Sequence, residues 1–320
     1  MILKPIDNLD VFCEKAEPAI GVFASKKWLS VYGDALTLIG IYKDEHQLIG
    51  GFYFLNTKKY GFTFLKLPPY TPHCGLFFTS DSKNNSSINN FSKEVMNEVC
   101  TFFTNQKSAL TVLAFPSAII DFQPFIWEKY KVVPNYTYRI NLEKTIEDIK
   151  SNFDSKNRNV INKAIKEEVV VKENVLSKEE LYQFFVNSLN TTDANIYNTE
   201  LKNVFTKFSD DTNSFSVSAY KNNELLGNVF CVFDKNTCYY LLGGVNKQSG
   251  VQGVNNLLVQ KSIEKAKDLG CKTFDFEGSM LKGVEKFFRS FGPELVPYFT
   301  VNKASLPLEI LLKFKKRELF

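Results

Sequence analysis

Apolar and polar residues follow the same order twice along this chain. The first copy combines the polar turn Tyr42–Asp44 with the largely apolar run Leu48–Leu55, and the second combines Tyr220–Asn222 with Leu225–Phe233. Each copy is typical of a strand, a tight polar turn and a second strand, and each continues into a further strand, an amphipathic helix and an apolar strand. The pattern therefore predicts a duplicated α/β unit.

The first half of the chain is predicted to be rich in strands, with one clear helix. Val95, Val99 and Phe102 (or Phe103) recur at helical spacing and place that helix over residues 91–103, after the polar loop 80–87. Alternation and short apolar runs predict strands at 37–42, 49–55, 62–65 and 110–115.

The second half begins with helical spacing over residues 146–168, interrupted at the polar Asn157. It ends in a basic amphipathic stretch, 308–320, which we expect to pack as a terminal helix, with contact to a membrane surface or to RNA as the alternatives. Between these segments the pattern predicts helices at 178–189, 199–208 and 254–269 and strands at 215–220, 226–233, 238–243 and 273–277.

Composition indicates substantial hydrophobic cores, because 44% of the 320 residues are hydrophobic and include 30 Phe and 14 Tyr. No run approaches the ~20 apolar residues of a membrane-spanning helix, and no signal-peptide pattern is present, so we expect a cytoplasmic protein. The net charge of +4 permits an acidic partner such as a nucleotide or RNA without requiring one. No DNA partner is predicted, and the oligomeric state is left open.

The cysteines do not predict a metal or nucleophile site. All six are scattered without a C-x-x-C pair, and only His46 and His73 are available as imidazole ligands, so no metal is expected. Cys74 follows His73, but adjacent side chains of an extended segment point in opposite directions. A structural pair is therefore favoured over a catalytic thiol.

The sharpest candidate site is the glycine-rich segment 243–253, between a predicted strand and a predicted helix. Such a turn exposes backbone N–H groups, and the helix N-terminus adds partial positive charge, so the two together form a seat for a pyrophosphate. The residues assigned to this seat are Gly243, Gly244, Val245, Gly250, Gln252 and Gly253. The first copy has no glycine between Gly75 and Phe91, so its domain is expected to bind no cofactor.

The order strand, glycine-rich turn, helix, strand resembles the GNAT acyltransferase fold, which holds coenzyme A at such a turn. Two positions differ from the usual GNAT pattern. From Lys247, the last glycine of the fingerprint comes one residue too late, at Gly253. Four residues before Gly292, where many of these enzymes have a general-acid tyrosine, this chain has Phe288. These departures, together with the duplication, point to a subgroup.

The whole chain resembles the FemAB-like peptidyltransferases and the related CelD/BioF2-like acyltransferases, which are tandem GNAT proteins. The resembling segments are Leu67–Pro72, Tyr136–Leu142, Lys156–Ala164 and Gly270–Gly278. The resemblance implies an α/β fold with two GNAT-like domains, each a mixed, mostly antiparallel sheet flanked by helices. Residues 1–140 would form a wall of the acceptor cleft, and 141–320 would bind the donor and carry the basic C-terminal helix.

Transfer of an acyl group to an amine requires a proton acceptor for the amine and donors for the developing oxyanion. Backbone N–H groups at Gly243 and Gly244 are the candidate oxyanion donors. Asp275 and Glu277 alternate along the predicted strand beside the turn and are the candidate bases, with a structural role in the following turn as the alternative. Tyr240 is the candidate acid, with a place in the core as its alternative.

Three cations downstream share a predicted helical face: Lys282, Lys286 and Arg289. They either hold a phosphate of the cofactor or are ordinary surface cations.

These observations predict an N-acyltransferase that moves an acyl or aminoacyl group from a thioester or ester donor, with acyl-CoA as the expected cofactor. The acceptor would be the amine of a small molecule or a cell-wall precursor, held between the two domains. A FemAB-like peptidyltransferase using aminoacyl-tRNA is one alternative, although no heptad pattern predicts the coiled-coil insertion of those enzymes. A non-catalytic binding protein of GNAT fold is the other.

Overall fold

The computed structural model describes residues 1–190, 197–278 and 280–315. By internal contacts the chain forms two units. Unit 1 comprises Met1–Asn135 together with the segment that begins at Pro297, and unit 2 comprises Tyr136–Val296. Within the described residues no helix is both long and apolar enough to cross a membrane.

Unit 1 is built on strands that pair antiparallel from β1 to β4, followed by a parallel pair between β4 and β6. The strands are β1 Ile2–Pro5, β2 Leu36–Tyr42, β3 Leu48–Lys59, β4 Phe62–Lys66, β5 Phe77–Phe78 and β6 Leu110–Ala114. The helices are α1 Leu9–Ile20, α2 Lys26–Leu29, α3 Asn85–Asn105 and α4 Gln123–Trp127. The apolar face of α3, with Val95, Val99 and Phe103 fully buried, packs into the core as its spacing predicted.

Unit 2 repeats this arrangement, with β10 pairing antiparallel to β9 and β11 and with a parallel pair between β11 and β12. The strands are β7 Lys131–Asn141, β8 Val170–Glu173, β9 Ser214–Lys221, β10 Glu224–Phe233, β11 Thr237–Val245 and β12 Thr273–Asp275. The helices are α5 Ile146–Ser151, α6 Ser155–Lys166, α7 Lys178–Asn190, α8 Asn198–Asn203, α9 Val254–Asp268 and α10 Lys282–Arg289. The predicted α/β class with mixed, mostly antiparallel sheets is confirmed.

The last two elements are β13 Glu294–Ala304 and α11 Leu306–Lys315. Residues Thr300–Ala304 of β13 pair antiparallel with β6 of unit 1. Because of this pairing, the C-terminal segment packs with unit 1, whereas the sequence had placed it in the second domain. The predicted helix continued to residue 320, and its Lys316 and Arg317 lie outside the described residues.

The helical segment 146–168 is divided at a different place from the one predicted. The break lies between α5 and α6, where Asp154 caps α6 by accepting the backbone N–H of Asn157. Asn157 itself is inside the helix and buried, and its amide donates to the carbonyl of Ser290 and accepts from Asn256. Its polarity therefore reflects an internal hydrogen-bond network rather than an interruption of the helix.

Candidate functional site

Strands β11 and β12 separate at the carboxyl end of their parallel pair. The register joins them only from Thr237 with Thr273 to Tyr239 with Asp275, where β12 ends. On its other side, β11 stays paired with β10 as far as Val245. Among the described residues, the edge of β11 from Tyr240 onward is therefore not paired with β12, and backbone groups along it are available to a ligand.

A β-bulge in β11 brings Tyr240 and Gly243 to one face of the sheet. Phe230 is opposite Leu242 and Cys231 is opposite Tyr240, so Leu241 is the extra residue. The Tyr240 hydroxyl lies where a Cβ of Gly243 would be, so only glycine fits there. Gly243 therefore makes room for the Tyr240 side chain, in addition to lying on the unpaired edge of β11.

Tyr240 is the predicted acid, and its surroundings keep it protonated. Its ring packs against Phe276 and Phe288. Burial raises the pKa of its phenol well above the ordinary value, and a hydrogen bond with Asn255 opposes that shift. Asn255 lies in the first turn of α9, and its buried Oδ1 has no hydrogen-bond partner among the described residues.

The glycine-rich turn enters α9 through two glycines in the left-handed conformation. Gly253 occupies the N-cap position in a left-handed conformation, with φ of 82° and no side-chain cap. Gly250 is also left-handed, and open space surrounds the position of its missing Cβ. Gln252 accepts a hydrogen bond from Lys163 at 2.8 Å, and Val245 pairs with Gly227.

Gly244 and Gly253 are required by close packing rather than by a ligand alone. A Cβ on Gly253 would overlap the carbonyl oxygen of Val160 in α6, and a Cβ on Gly244 would overlap Ser188 in α7. These two glycines let helices approach the turn from two directions. The packing fixes the start of α9 in place, which a preformed binding site requires.

Asp275 is the more firmly held of the two predicted carboxylates. It is 3% exposed and forms an ion pair with Arg139 Nε at 2.7 Å. Its Oδ1 also accepts from the hydroxyl of Thr137 at 2.5 Å and from the backbone N–H of Glu277 at 2.8 Å. The buried carboxylate of Asp275 therefore has three donors at the end of β12.

Glu277 has the opposite character. It lies beyond the end of β12 in a left-handed conformation with φ of 57°, so the predicted strand 273–277 is too long by two residues. Its Oε1 is buried and has no hydrogen-bond partner among the described residues. Burial, reinforced by the nearby charge of Asp275, raises the pKa of the Glu277 carboxyl well above its usual value.

The three predicted phosphate ligands lie on α10 and are all exposed. Arg289 pairs with Glu285 at 2.7 Å, and Glu285 also accepts from the hydroxyl of Tyr138 at 2.6 Å. Lys282 and Lys286 form no ion pair with any described residue. Two lysines therefore remain available to an anion, while Arg289 is already partnered.

Sequence reasoning missed the partners of these groups. Arg139, Thr137 and Asn255 were not named, although the first two lie in the segment Tyr136–Leu142 that carries the family resemblance. The contacts of Arg139 and Thr137 with Asp275 depend on the register that places Arg139 opposite Asp275. An Arg and an Asp separated by 136 positions give no local signal.

Cys74 in unit 1 lacks the surroundings of a reactive thiol. Cys74 is fully buried, and burial raises the pKa of its thiol to about 12, which keeps it protonated. The Nδ1 of the neighbouring His73 accepts the backbone N–H of Gly75 at 3.2 Å instead. Across the described ranges, no three His, Cys, Asp or Glu side chains come together as metal ligands.

Comparisons with known proteins agree with this architecture. Residues 156–289 match a family model described as an acetyltransferase (GNAT) domain. The fold is similar to that of FemX, with 13% identity and a TM-score of 0.66 over 98% of this chain and 100% of that one. A search of curated protein sequences gave no match.

Two further solved structures share the fold at low identity. A tandem GNAT protein from the clavulanic acid biosynthesis pathway has 8% identity and a TM-score of 0.55, over 94% of this chain and 97% of that one. L-PGS from Bacillus licheniformis has 12% identity and a TM-score of 0.54, over 95% of each chain. The predicted resemblance to FemAB-like tandem GNAT proteins is confirmed at the level of the fold, and the matches point to an acyltransferase.

Proposed function

We propose that this protein is an N-acyltransferase in which Glu277 accepts the proton of the attacking amine. The observation that carries the proposal is the state of the Glu277 carboxyl group. Its Oε1 is buried without a partner, and its pKa is raised well above the ordinary value of a glutamate. A buried acceptor without a hydrogen bond costs stability, and such groups are concentrated at functional sites.

A raised pKa suits this task. An amine arrives mostly as an ammonium ion and must lose a proton before its lone pair can attack a carbonyl. A carboxylate of ordinary pKa is a weak base toward an ammonium ion, whereas a carboxylate with a raised pKa binds the proton more strongly. Asp275, held by Arg139, supplies a fixed negative charge that raises the basicity of Glu277.

The residues around the turn fit an acyl-CoA donor. The first turn of α9 has no side-chain cap, and open space surrounds the Cβ position of Gly250. Oδ1 of Asn255 has no hydrogen-bond partner among the described residues. Bound acyl-CoA would supply an activated acyl carbonyl. The backbone N–H of Gly243, which the register turns away from β10 toward the unpaired edge, would stabilise its oxygen during attack. Gly244, whose N–H faces β10, would leave room beside it, and Tyr240 would protonate the leaving group.

An aminoacyl-tRNA donor is the second candidate. The spacing of the turn departs from the coenzyme A fingerprint at Gly253, and the fold is similar to that of FemX over nearly the whole chain. In that case Lys282 and Lys286, which have no ion-pair partner among the described residues, would contact phosphates of the tRNA. The acceptor would be the amine of a small molecule or a cell-wall precursor.

Calorimetric titration with acetyl-CoA tests the donor assignment. The matched variants are Gly250→Asp and Gly250→Asn, which have similar size and tolerate the same left-handed backbone. We expect Gly250→Asp to weaken binding at least tenfold and Gly250→Asn to weaken it much less, because only the aspartate repels a pyrophosphate. Equal affinities would place the pyrophosphate elsewhere.

Failure of the wild-type protein to bind acetyl-CoA would favour the second candidate. Binding of charged tRNA should then weaken steeply as salt is raised, since phosphate contacts release counterions. RNA binding that is absent or insensitive to salt would remove the tRNA donor.

A further inference from the structure

Helix α11 is apolar and yet buries none of its residues. Its large side chains are unusually exposed: Leu306 by 71%, Ile310 by 52%, Leu311 by 48% and Phe314 by 86%. A helix whose apolar side chains face water normally has a partner that covers them. The described protein provides none for this face.

The exposed apolar residues occupy one continuous side of the helix. At 100° per residue, Leu306, Ile310, Phe314 and Leu311 fall within an arc of about 140°. The half-buried Leu308 and Leu312 fall on the opposite side of the helix, toward the rest of unit 1. The outward face of α11 is therefore the apolar one, which is the reverse of an ordinary surface helix.

Lysines border this apolar arc on both sides. By the same geometry, Lys313 lies about 20° before Leu306 and Lys315 about 40° beyond Leu311. Lys313 also pairs with Glu309 at 2.7 Å, and its side chain is 55% exposed. Lysines at the two margins of an apolar stripe can extend their ammonium groups to a charged surface while the stripe is buried beneath them.

A further exposed aromatic residue, Trp127, lies in a segment that is hydrogen-bonded to the end of β13, the strand before α11. The backbone N–H of Ser305, which precedes the helix, donates to the carbonyl of Ala109. Lys303 donates to the carbonyl of Glu128 at 3.0 Å, and the preceding residue, Trp127, is 63% exposed. Tryptophan is enriched where proteins meet the interfacial region of a bilayer.

We propose that the outward face of α11 docks on an anionic lipid surface. The apolar arc would enter the boundary between headgroups and acyl chains, and Lys313 and Lys315 would contact the negatively charged headgroups. This inference does not depend on the acyl-transfer proposal.

A second copy of the chain fits the face less well. A helix of ten residues is only about 15 Å long, and its exposed side covers far less than the roughly 800 Å² per partner of a standard protein interface. RNA also fits poorly, because aliphatic side chains at the centre of the arc offer nothing to phosphates or to base edges.

Co-sedimentation with vesicles tests the proposal on the full chain. One set of vesicles contains phosphatidylcholine with about a third of phosphatidylglycerol, and the other contains phosphatidylcholine alone. We expect binding to the anionic vesicles that weakens strongly at high salt, and little binding to the neutral ones. Absent binding, or equal binding to both, would overturn the proposal.

Matched variants separate α11 from the rest of the surface. Phe314→Ser should weaken vesicle binding roughly tenfold, whereas Tyr60→Ser, at an equally exposed aromatic residue between β3 and β4, should not. Replacing Lys313 and Lys315 together by Gln should weaken it roughly 30-fold. The control is replacement of the exposed Lys15 and Lys83 by Gln, which changes the net charge equally.

Folding and self-association are checked on the same samples. All four residues changed in α11 and at Tyr60 are exposed, so thermal unfolding should be unaffected by these substitutions. Equal losses in the test and control variants would overturn the assignment to α11. A dimer that is abolished by Phe314→Ser would show that a second copy covers this face, and would also overturn it.

Discussion

Asp275 accepts the backbone N–H of Glu277 at 2.8 Å, yet the two carboxyl groups have opposite surroundings. Asp275 is held by Arg139 and Thr137, whereas Oε1 of Glu277 is buried without a partner among the described residues. Two neighbouring carboxyls, one paired with a guanidinium and the other buried without a partner, are typical of an acid–base site. We infer that Asp275 provides a fixed charge and that Glu277 exchanges the proton.

Asp275→Asn is expected to lower the pKa of Glu277, because the Asp275 charge is one of the causes that raise it. The amide keeps the shape of the side chain and can still accept the Glu277 N–H. In the pH dependence of kcat/KM, the acidic limb should therefore move to lower pH, since less alkaline solution then suffices to deprotonate the base. Glu294→Gln, at an exposed carboxylate of the same unit, should leave the limb in place. A limb that stays or moves upward in Asp275→Asn would contradict the coupling.

Glu277→Gln should change how stability depends on pH. The folded protein keeps the Glu277 proton to a higher pH than the unfolded chain, so the wild type loses stability as pH rises from the ordinary glutamate pKa through the raised one. The loss is about 1.4 kcal/mol for each pH unit over which only the folded state holds the proton. Glutamine carries no such penalty. Guanidinium unfolding at pH 5 and pH 8 should show that the unfolding free energy of the variant, relative to that of the wild type, is larger at pH 8. An equal difference at the two pH values would disprove the raised pKa.

Gly253→Ala and Gly250→Ala form a matched pair in the same turn. Both glycines have positive φ, so both substitutions should cost roughly 1 kcal/mol of backbone strain. Only the Cβ at residue 253 would overlap the carbonyl oxygen of Val160, which adds about 1–3 kcal/mol of overpacking. Urea unfolding should rank Gly253→Ala as clearly the less stable variant. Equal stabilities would mean that α6 does not pack on the turn as described.

Gly243→Ala should be tolerated only when Tyr240 is smaller. In the wild-type background the new methyl group would collide with the Tyr240 hydroxyl and ring, at a cost of about 1–3 kcal/mol. In a Tyr240→Leu background the hydroxyl is absent, and the same substitution should cost much less. A double-mutant cycle of unfolding free energies measures this coupling. Additive effects would exclude the contact.

The arrangement of the fold could be predicted because it is encoded locally. Strands β2 and β10 and helix α9 follow from alternation and helical spacing, and each lies within two residues of the predicted limits. Helix α3 begins at Asn85, six residues before its predicted start, because Asn84 caps it within the segment predicted as a loop. The division of the C-terminal segment could not be predicted in this way. Its place in unit 1 depends on pairing between β13 and β6, which are almost 200 residues apart in the chain.

The residues of the candidate site were chosen from the sequence, but their hydrogen bonds and burial could not be predicted from it. Asp275 and Glu277 were named together as two positions on one side of a predicted strand, with Glu277 preferred as the base. The different surroundings of the two carboxyls come from the left-handed backbone at Glu277 and from Arg139, which the register places opposite Asp275. Both depend on contacts between distant segments.

The most direct test of the account is acyl transfer by Glu277→Gln, with Glu294→Gln as the control. Transfer from acetyl-CoA to a panel of primary amines is followed by mass spectrometry, and acetyl-CoA binding is measured on the same samples. We predict that Glu277→Gln binds the donor normally and transfers it about 10²–10⁴ times more slowly, because only the proton acceptor is lost. Normal transfer by Glu277→Gln, alongside normal transfer by the control, would contradict the central claim.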